Sequence, residues 1–362
     1  MKEALLYEKL DNQKVKCNLC AHHCKIAPGK FGICKVRENI DGTLYTHVYG
    51  RTIARHIDPI EKKPLYHFFP GSKAFSIGTP GCNFHCDFCQ NCEISQVTSP
   101  GILEMGSAAS PDEIVQEALD AGCKSIAYTY TEPTIFFEYC NDIGLLARRA
   151  GLRNVFVSNG FMTSEMLDLA ALWLDAVNID LKAFKEETYR KLMGGRLTPV
   201  LENMKHLVCK GIWLEVTSLI IPGINDSAGE LHQMAHFIAN ELGVDVPWHI
   251  SRFFPGYKMM DVPPTPMEIL HRAVEAGKEA GLNYIYVGNV PTSGDQNTVC
   301  PRCGAVLIER VGYNVLYNNI EHGQCAGAGM KWQEEVSAVE LLKHMILWHF
   351  PPCLLRRISV RQ

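Results

Sequence analysis

The chain has 362 residues, 47% of them apolar and 20% charged, so it is long enough for one large α/β domain with small additions. A formal net charge of -4 and a pI near 6.4 exclude a general electrostatic attraction to nucleic acid or to an anionic membrane. No apolar run approaches the ~20 residues that a membrane span requires. The 15 cysteines lie mostly in closely spaced groups, and no apolar signal segment opens the chain, so we expect metal binding in a reducing cytoplasm rather than disulfides.

A cysteine-rich leader is expected over residues 1–70. Its four cysteines have the spacing C-x2-C-x3-C-x9-C and are Cys17, Cys20, Cys24 and Cys34. Four thiolates in one short segment predict a second metal site, for zinc or for an auxiliary iron-sulfur cluster, with His22 and His23 as reserve ligands. The alternative is a loop of reduced thiols without a metal. A turn at Asp41-Gly42 and alternating apolar residues from Leu44 to Ile53 then predict a small hairpin.

The next cysteine group, Cys82, Cys86 and Cys89, has the spacing C-x3-C-x2-C. Three thiolates on one tight loop can each bind one iron of a [4Fe-4S] cluster and leave the fourth iron without a protein ligand. Such an open iron can bind S-adenosylmethionine (SAM) through its amine and its carboxylate. The alternative is a structural zinc or ferredoxin-type site. Cys92 is a candidate fourth ligand, but its short offset is more simply that of a neighbouring free thiol.

From Lys73 onward, short apolar runs alternate with helical periods, a rhythm typical of β/α units around a parallel sheet. We predict an α/β fold, a partial (β/α)6 TIM-like barrel over residues 71–296. Its strands are expected near Ala74 to Gly78, Ser125 to Tyr130, Asn154 to Ser158, Ala176 to Leu181, Trp213 to Ile220, Trp248 to Phe253 and, as a last short strand, Tyr284 to Val287. The sequence Ser110-Pro111-Asp112-Glu113 predicts a helix start.

Polar residues follow the predicted strands, where loops of such barrels carry the chemistry. They are Thr131, Glu132, Ser158, Asn159, Asp180 and Lys182, while His249 lies within the sixth strand. Strand alternation places Asp180 and Lys182 on one face. The plainer alternatives are a helix-terminal acid for Glu132, a surface ion pair for Asp180 and Lys182, and a satisfied core residue for His249.

The segment 297–332 contains half of a zinc knuckle in Cys300-Pro301-Arg302-Cys303-Gly304. In the second half, Cys325-Ala326-Gly327-Ala328-Gly329, Ala328 stands where a complete ribbon has a cysteine. Three sulfur ligands remain, with His322 as a candidate fourth, so we predict a degenerate zinc-ribbon-like segment that binds metal weakly. The periodic apolar residues after Gln333 predict a C-terminal helix, followed by a basic tail, within residues 333–362.

The spacing of Cys82, Cys86 and Cys89, with Phe88 before the third cysteine, resembles the signature of the radical SAM superfamily. The string from Asp58 through Phe69, with Ser76-Ile77-Gly78-Thr79 and Cys89-Gln90-Asn91, resembles more specifically the radical SAM enzyme of the AmmeMemoRadiSam system, a relative of pyruvate formate-lyase activating enzymes. The resemblance extends to about Gly329. It implies a [4Fe-4S] cluster and SAM as cofactors, Memo-like and Ammecr-like proteins as partners, and an electron donor such as flavodoxin or ferredoxin.

The resemblance also implies roles for the strand-end residues. Thr131 and Glu132 stand where activases have Gly-Gly-Glu-Pro, which binds the SAM amine, although Tyr130 and Thr131 replace the glycines. Ser158 and Asn159 belong to a stretch similar to the activase Thr-Asn-Gly-Phe. Lys182 is expected to pair with the SAM carboxylate, Asp180 to balance the sulfonium, and His249 to lie near the adenosine ribose.

We therefore expect an enzyme that cleaves SAM reductively and uses the resulting radical to abstract hydrogen from an unknown substrate. One alternative is an activase that acts on a backbone glycine of another protein. Bulky residues expected at the strand ends, Tyr128, Tyr130, Phe161, Phe253 and Phe254, favour a narrower entrance than such a protein loop needs. The alternative from another class is a non-catalytic scaffold that binds several metals.

Overall fold

The computed structural model describes residues 1–96, 101, 105–291, 296–321 and 323–329 of the chain. The predicted C-terminal helix and the candidate ligand His322 lie outside the described residues. Among the helices of the described part, none is long and apolar enough to cross a membrane.

The leader is built from short strands: β1 (Lys2–Glu3), β2 (Tyr7–Lys9), β3 (Val15–Cys17), β4 (Lys25–Ile26), β5 (Lys30–Phe31), β6 (Arg37–Ile40), β7 (Thr43–Thr46), β8 (Arg51–Thr52) and β9 (Ala54–Pro59). Two antiparallel sheets form, in the orders β1-β7-β6-β5 and β2-β3-β4. Asp41 and Gly42, with φ of 49° and 84°, close the β6–β7 hairpin. The predicted turn is confirmed, but the hairpin strands flank it rather than following it.

The main sheet follows the leader. The next strands are β10 (Lys73–Gly78), β11 (Ser107–Ala108), β12 (Ser125–Tyr128), β13 (Arg153–Ser158), β14 (Ala176–Asp180), β15 (Trp213–Ile220), β16 (Trp248–Arg252) and β17 (Ile285–Gly288). Strands β10 and β12 to β17 are parallel neighbours in chain order, and β9 pairs antiparallel with β10 at one edge. The predicted α/β fold with a parallel sheet is confirmed. The edge strand β9 was not predicted.

Helices connect the strands: α1 (Cys92–Ser95), α2 (Pro111–Asp120), α3 (Phe137–Arg149), α4 (Ser164–Ala170), α5 (Glu186–Thr188), α6 (Leu197–Cys209), α7 (Ala228–Phe237) and α8 (Met267–Glu279). Short 3-10 helices lie at Ile60–Lys62 and Pro133–Phe136, and π-helical turns at Tyr189–Met193 and Ile238–Leu242. The predicted start of α2 is confirmed. Ser110 and Glu113 form a reciprocal capping box, which satisfies backbone donors at the helix terminus.

The two faces of the main sheet pack against different partners. One face, including Ile126 and Val177, joins the large core formed with the helices. On the other face, Ala74, Ala127, Val155 and Ala176 cluster with Ile60, Leu65 and Phe68. We call residues 60–69 the plug, because this segment covers the helix-free face of the sheet. The Pro64 carbonyl accepts a 2.8 Å hydrogen bond from the Asn178 side chain.

The C-terminal described segment forms a small sheet of β18 (Thr298–Val299), β19 (Val306–Val311) and β20 (Asn314–Asn318), followed by the paired strands β21 (Ile320–Glu321) and β22 (Gln324–Cys325). Arg310 of β19 is buried and joins this sheet to the plug. Its guanidinium donates to the Tyr66 carbonyl at 2.6 Å and to Thr298 at 2.7 Å, and pairs with Glu61 at 3.6 Å. The small sheet is thus fastened to the main fold by a buried charge.

Candidate functional site

The loop that carries Cys82, Cys86 and Cys89 begins just after β10, at the C-terminal edge of the main sheet. Its backbone is fixed by hydrogen bonds to neighbouring segments. Gly81 N–H donates to the Ile94 carbonyl at 2.9 Å, and His85 and Asp87 N–H donate to the carbonyls of Met193 and Leu192 at 2.9 and 3.0 Å. The three cysteines are therefore presented on a loop held from both sides.

The three thiols are a suitable donor set for a metal cluster. Cys86 is buried, and Cys82 and Cys89 are partly buried. The Phe84 N–H donates to Cys82 Sγ at 3.4 Å, and Cys89 Sγ lies 3.1 Å from the Ser95 hydroxyl. Burial raises the pKa of the Cys82 thiol, and it raises that of the Cys86 thiol to about 12, so a bound cation is needed to hold them as thiolates. These residues fit an iron-sulfur cluster.

Glu132 joins the ends of β12 and β13. One carboxylate oxygen accepts from Thr134 N–H at 3.1 Å, from the Thr134 hydroxyl at 2.6 Å and from the Ser158 hydroxyl at 2.8 Å. The other oxygen accepts from Asn159 N–H at 2.8 Å. Burial raises the pKa of Glu132, while these donors oppose that rise. Glu132 caps the 3-10 helix Pro133–Phe136 and also fixes the neighbouring strand end. The alternative prediction, a helix-terminal acid, therefore accounts for only part of its contacts.

Ser158 and Asn159 bring the end of β13 to the cysteine loop. The Asn159 amide donates to the Asn83 side-chain oxygen at 2.8 Å, and its nitrogen lies 4.0 Å from Cys82 Sγ. The Asn159 oxygen accepts from Phe161 N–H at 2.9 Å, and Ser158 accepts from Gly160 N–H at 3.0 Å. Asn159 is therefore placed beside the first cysteine of the loop.

Asp180 and Lys182 lie at the end of β14, with Lys182 Nζ 2.9 Å from the Asp180 carboxylate. The Lys182 side chain is only 16% exposed, so this is not a freely solvated surface pair. Burial lowers the pKa of Lys182, but the neighbouring Asp180 carboxylate opposes burial and the pKa is raised overall. Lys182 Nζ also lies 5.9 Å from the centre of the Phe88 ring. A persistent positive charge thus lies next to the cysteine loop.

Tyr130 and Thr131 occupy the place where the activase pattern has glycines. Tyr130 adopts a left-handed backbone conformation with φ of 67°, which glycine would adopt without strain. Its hydroxyl donates to Asp58, and Lys63 Nζ lies 4.6 Å from the centre of its ring. The Thr131 hydroxyl donates to the Thr79 carbonyl at 2.7 Å. The contacts with Asp58 and Lys63 therefore hold the Tyr130 side chain in place, although its left-handed backbone conformation is unfavourable for a tyrosine.

His249 lies in a different environment from the other predicted site residues. It is buried, and its Nε2 lies 2.6 Å from the Glu215 carboxylate, with Tyr66 and Tyr286 against its ring. Glu215 also accepts from the backbone N–H groups of Tyr66 and His67 in the plug, at 3.0 and 2.9 Å. These contacts match the plainer reading of a satisfied core residue, and a ribose contact for His249 stays a prediction.

The bulky residues expected to narrow the entrance differ in their exposure. Tyr128, Phe161 and Phe253 are fully buried, Tyr130 is partly buried and Phe254 is exposed. Tyr128 packs against Phe156 and Trp173 in the core with the helices. Strand alternation places it on the same face as Ile126, so the prediction is wrong for Tyr128 and stays a prediction for the other four residues.

Asn83 was missed because the sequence gives no signal for it beyond its place between two cysteines. Its carbonyl lies 2.8 Å from His22 Nε2, and its side chain contacts Asn159 and the Phe161 carbonyl. His22 links the leader to the cysteine loop and also lines the cavity of the leader cysteines, so its role as a reserve metal ligand stays a prediction.

The leader cysteines Cys17, Cys20, Cys24 and Cys34 line one small cavity.

In the C-terminal sheet, the sulfur atoms of Cys300, Cys303 and Cys325 lie within 4.8 Å of one another, and Cys303 and Cys325 are 3.7 Å apart. Gly329 N–H still donates to the Cys325 carbonyl at 2.8 Å, so the second knuckle turn persists although Ala328 lacks a thiol.

The fold and site together define an α/β protein with an open three-cysteine loop at the C-terminal edge of a parallel sheet. The family described as the radical SAM superfamily matches residues 76–238. An uncharacterized protein of Methanocaldococcus jannaschii, MJ0808, is 46% identical over 335 residues, which cover 91% of this chain and 98% of that protein. The chain belongs to the radical SAM superfamily, whose members are enzymes of radical chemistry.

The chain is also similar to other proteins at lower sequence identity. The pyruvate formate-lyase 1-activating enzyme of Escherichia coli strain K12 is 20% identical over 181 residues, which cover 47% of this chain and 71% of that enzyme. The crystal structure of Streptococcus suis SuiB bound to S-adenosylmethionine matches with a TM-score of 0.47 and 13% identity, over 63% of this chain and 53% of that one.

Proposed function

We propose that this protein cleaves SAM reductively and abstracts hydrogen from a substrate that remains to be identified. The observation that carries the proposal is the placement of Cys82, Cys86 and Cys89 on one fixed loop, beside Asn159 and the positive charge of Lys182. The residues would hold a [4Fe-4S] cluster with one iron free for SAM. When bound, that cluster supplies the electron that converts SAM to methionine and a 5′-deoxyadenosyl radical.

The surrounding residues have separate tasks in this proposal. Lys182 pairs with the SAM carboxylate, because its raised pKa keeps it charged at neutral pH and a charged donor binds a carboxylate strongly. The backbone of Tyr130 and Thr131 presents polar groups to the SAM amine. Glu132 fixes the positions of Thr134, Ser158 and Asn159, since its own acceptor oxygens already receive four donors.

The test is SAM cleavage by the full chain after anaerobic reconstitution with iron and sulfide, using dithionite as the reductant. We expect 5′-deoxyadenosine from the unchanged protein and none above background from the C82A/C86A/C89A variant. Cys92→Ala is the matched control, because Cys92 is a neighbouring thiol outside the loop ligands and its loss should leave product formation intact. Product formation by the triple variant would refute the assignment.

We further propose that the enzyme acts within an AmmeMemoRadiSam system, with Memo-like and Ammecr-like proteins as partners and flavodoxin or ferredoxin as the donor. The resemblance of residues 58–69 to that family supports this, as does the position of the cysteine-rich leader before the barrel. Addition of a Memo-like partner should raise the rate of 5′-deoxyadenosine release. Electron paramagnetic resonance (EPR) on mixtures with pyruvate formate-lyase decides against the proposal if a glycine-centred doublet appears that requires this enzyme and SAM.

A further inference from the structure

Four cysteines of the leader converge on one small cavity. Cys17, Cys20, Cys24 and Cys34 line it together with apolar side chains, among them those of Leu19, Ile26 and Ile135. Cys17, Cys20 and Cys34 are buried, Cys24 is partly buried, and all four are free thiols. Four unpaired thiols around an apolar cavity are a typical arrangement for a metal site in a reducing compartment.

A buried cation also lines this cavity. Arg37 pairs with the buried Glu138 carboxylate at 2.9 Å and donates to the Leu5 carbonyl at 2.7 Å. Its Nε has no hydrogen-bond partner among the described residues. One N–H donor of this buried guanidinium is therefore left without a partner in a residue that lines the cavity.

The spacing of the sulfurs distinguishes a cluster from a single ion. Tetrahedral zinc with Zn–S bonds of about 2.3 Å brings its sulfur ligands to about 3.8 Å from one another. The sulfurs of Cys303 and Cys325 are 3.7 Å apart, and that of Cys300 lies within 4.8 Å of both. They are the only set of three or more His, Cys, Asp or Glu ligand atoms within 4.8 Å of one another in the described part of the chain. The leader sulfurs, all described, are therefore more widely spaced than one zinc ion requires.

We propose that the leader binds an iron-sulfur cluster through Cys17, Cys20, Cys24 and Cys34. This cluster is separate from the one proposed for the loop that carries Cys82, Cys86 and Cys89. In such a cluster the cysteines bind different iron atoms, which accommodates their wider spacing. Four protein ligands leave no iron open, so this cluster can carry electrons but cannot bind SAM. The inference goes beyond the proposed function and does not depend on it, because the leader cysteines are not the barrel ligands.

The leader site is packed directly against the barrel loop. A Cβ atom placed on Gly81 would lie 3.0 Å from the Cys34 carbonyl oxygen and 2.7 Å from a Val36 methyl group, so only glycine fits there. His22 Nε2 meets the Asn83 carbonyl at 2.8 Å on the other side of the same contact. The leader segment that carries Cys34 and the loop that carries Cys82, Cys86 and Cys89 therefore pack against each other.

The experiment uses the full chain carrying C82A/C86A/C89A together with Cys303→Ala, which removes the barrel ligands and disables the C-terminal trio. After anaerobic reconstitution, iron, sulfide and zinc are measured per chain, and EPR is recorded after reduction. We expect iron and sulfide in equal amounts, an EPR signal of a reduced cluster, and little zinc. Adding C17A/C20A should remove at least nine-tenths of the iron, whereas adding Cys123→Ala, a buried cysteine outside the cavity, should not.

Two results would overturn the proposal. The first is one zinc ion per chain in the variant that retains the leader cysteines, without stoichiometric sulfide. The second is four freely reactive leader thiols with no metal. Both are read from the variant with an intact leader, so they stand even if C17A/C20A prevents folding. Loss of SAM cleavage does not enter this test, which separates its failure from that of the proposed function.

Discussion

Lys182 is the residue to which the proposed function assigns the SAM carboxylate. Its ammonium lies beside Asp180 and near the ring of Phe88, and it remains charged because nearby negative groups raise its pKa. Strand alternation alone put Asp180 and Lys182 on one face. The nearness of Cys86 was not evident from sequence, because it depends on how the loop after β10 folds over β14.

We expect Lys182→Met to weaken SAM binding roughly tenfold to a hundredfold, since a hydrogen bond from a charged donor contributes about 1.5–3 kcal/mol. The cluster content should not change. Lys185→Met is the matched control, because Lys185 is exposed and pairs with Glu230. Equilibrium binding of SAM to the reconstituted proteins gives the answer, and equal affinities for the two variants would exclude a SAM contact by Lys182.

Lys63 gives the site a group that titrates near neutral pH. Its side chain is 2% exposed, and its ammonium lies 2.6 Å from the Asp58 carboxylate and 4.6 Å from the centre of the Tyr130 ring. Burial lowers the pKa of Lys63 to about 8, against 10.5 for an ordinary lysine, although Asp58 opposes the shift. Between these pH values the unfolded chain binds a proton that the folded protein has released. The free energy of unfolding therefore gains a contribution from Lys63 as pH rises.

Comparison with Lys63→Met isolates this contribution. From pH 8 to pH 10 the free energy of unfolding of the unchanged protein should rise by about 2 kcal/mol relative to the variant. Lys62→Met is the control, because Lys62 pairs with the same Asp58 but is 45% exposed. Anaerobic urea unfolding at several pH values measures the difference. A pH-independent difference between the unchanged protein and Lys63→Met would show that Lys63 does not titrate in this range.

At the scale of elements, periodicity predicted the parallel strands but not what covers them. The buried strands read as short apolar runs, which single sequences signal well. Strand β9 lacks that pattern, because it is an edge strand in which Ile57 is 53% exposed and Arg55 and His56 are polar. The plug has no periodic pattern of apolar residues. Its contacts with Asn178 and Glu215 form between segments that are distant in the sequence. The His249–Glu215 pair also joins distant residues, so it could not be predicted from the sequence either.

The cysteine loop depends on a close approach between two elements. A Cβ atom on Gly195 would lie 2.3 Å from the ring of Phe84, which is buried between the cysteines and packs against Phe161 and Tyr189. We expect Gly195→Ala to displace that ring, to destabilise the protein by about 1–3 kcal/mol and to lower the iron content. Gly229→Ala is the control, because nothing lies within 4 Å of its added Cβ.

Urea unfolding and iron analysis on the two glycine variants make the comparison. If Gly195→Ala binds iron as well as Gly229→Ala does, the ring of Phe84 is not what holds the loop in its metal-binding shape.

At the scale of the whole molecule, the C-terminal sheet is part of the same packed body as the main sheet. Arg310 donates to Tyr66, Thr298 and Gln296 and pairs with Glu61, all at buried positions. The cysteine spacing had predicted a degenerate zinc-ribbon-like segment and gave no indication of what it packs against. A single buried arginine, invisible to motif reading, is what ties the two regions together.

We expect Arg310→Met to cost about 3–5 kcal/mol, because it leaves the Glu61 carboxylate buried without its cation. Hydrogen exchange should then speed up both in β18–β20 and in the plug. Arg302→Met, at an exposed position of the same region, should change neither. Faster exchange confined to β18–β20 would mean that the plug is held without help from the C-terminal sheet.

The plug also determines how molecules travel through the enzyme. Residues 60–69 cover the face of the main sheet that lies away from the connecting helices, and Leu65 and Phe68 fill the space over the first residues of the strands. Ligands are therefore expected to enter and leave at the C-terminal edge of the sheet. Under the proposed function, SAM, the substrate and the products would all pass through this side. The molecule that enters first would bind deepest and leave last. We therefore expect ordered binding and ordered release, in which the outermost product must leave before the next cycle can begin.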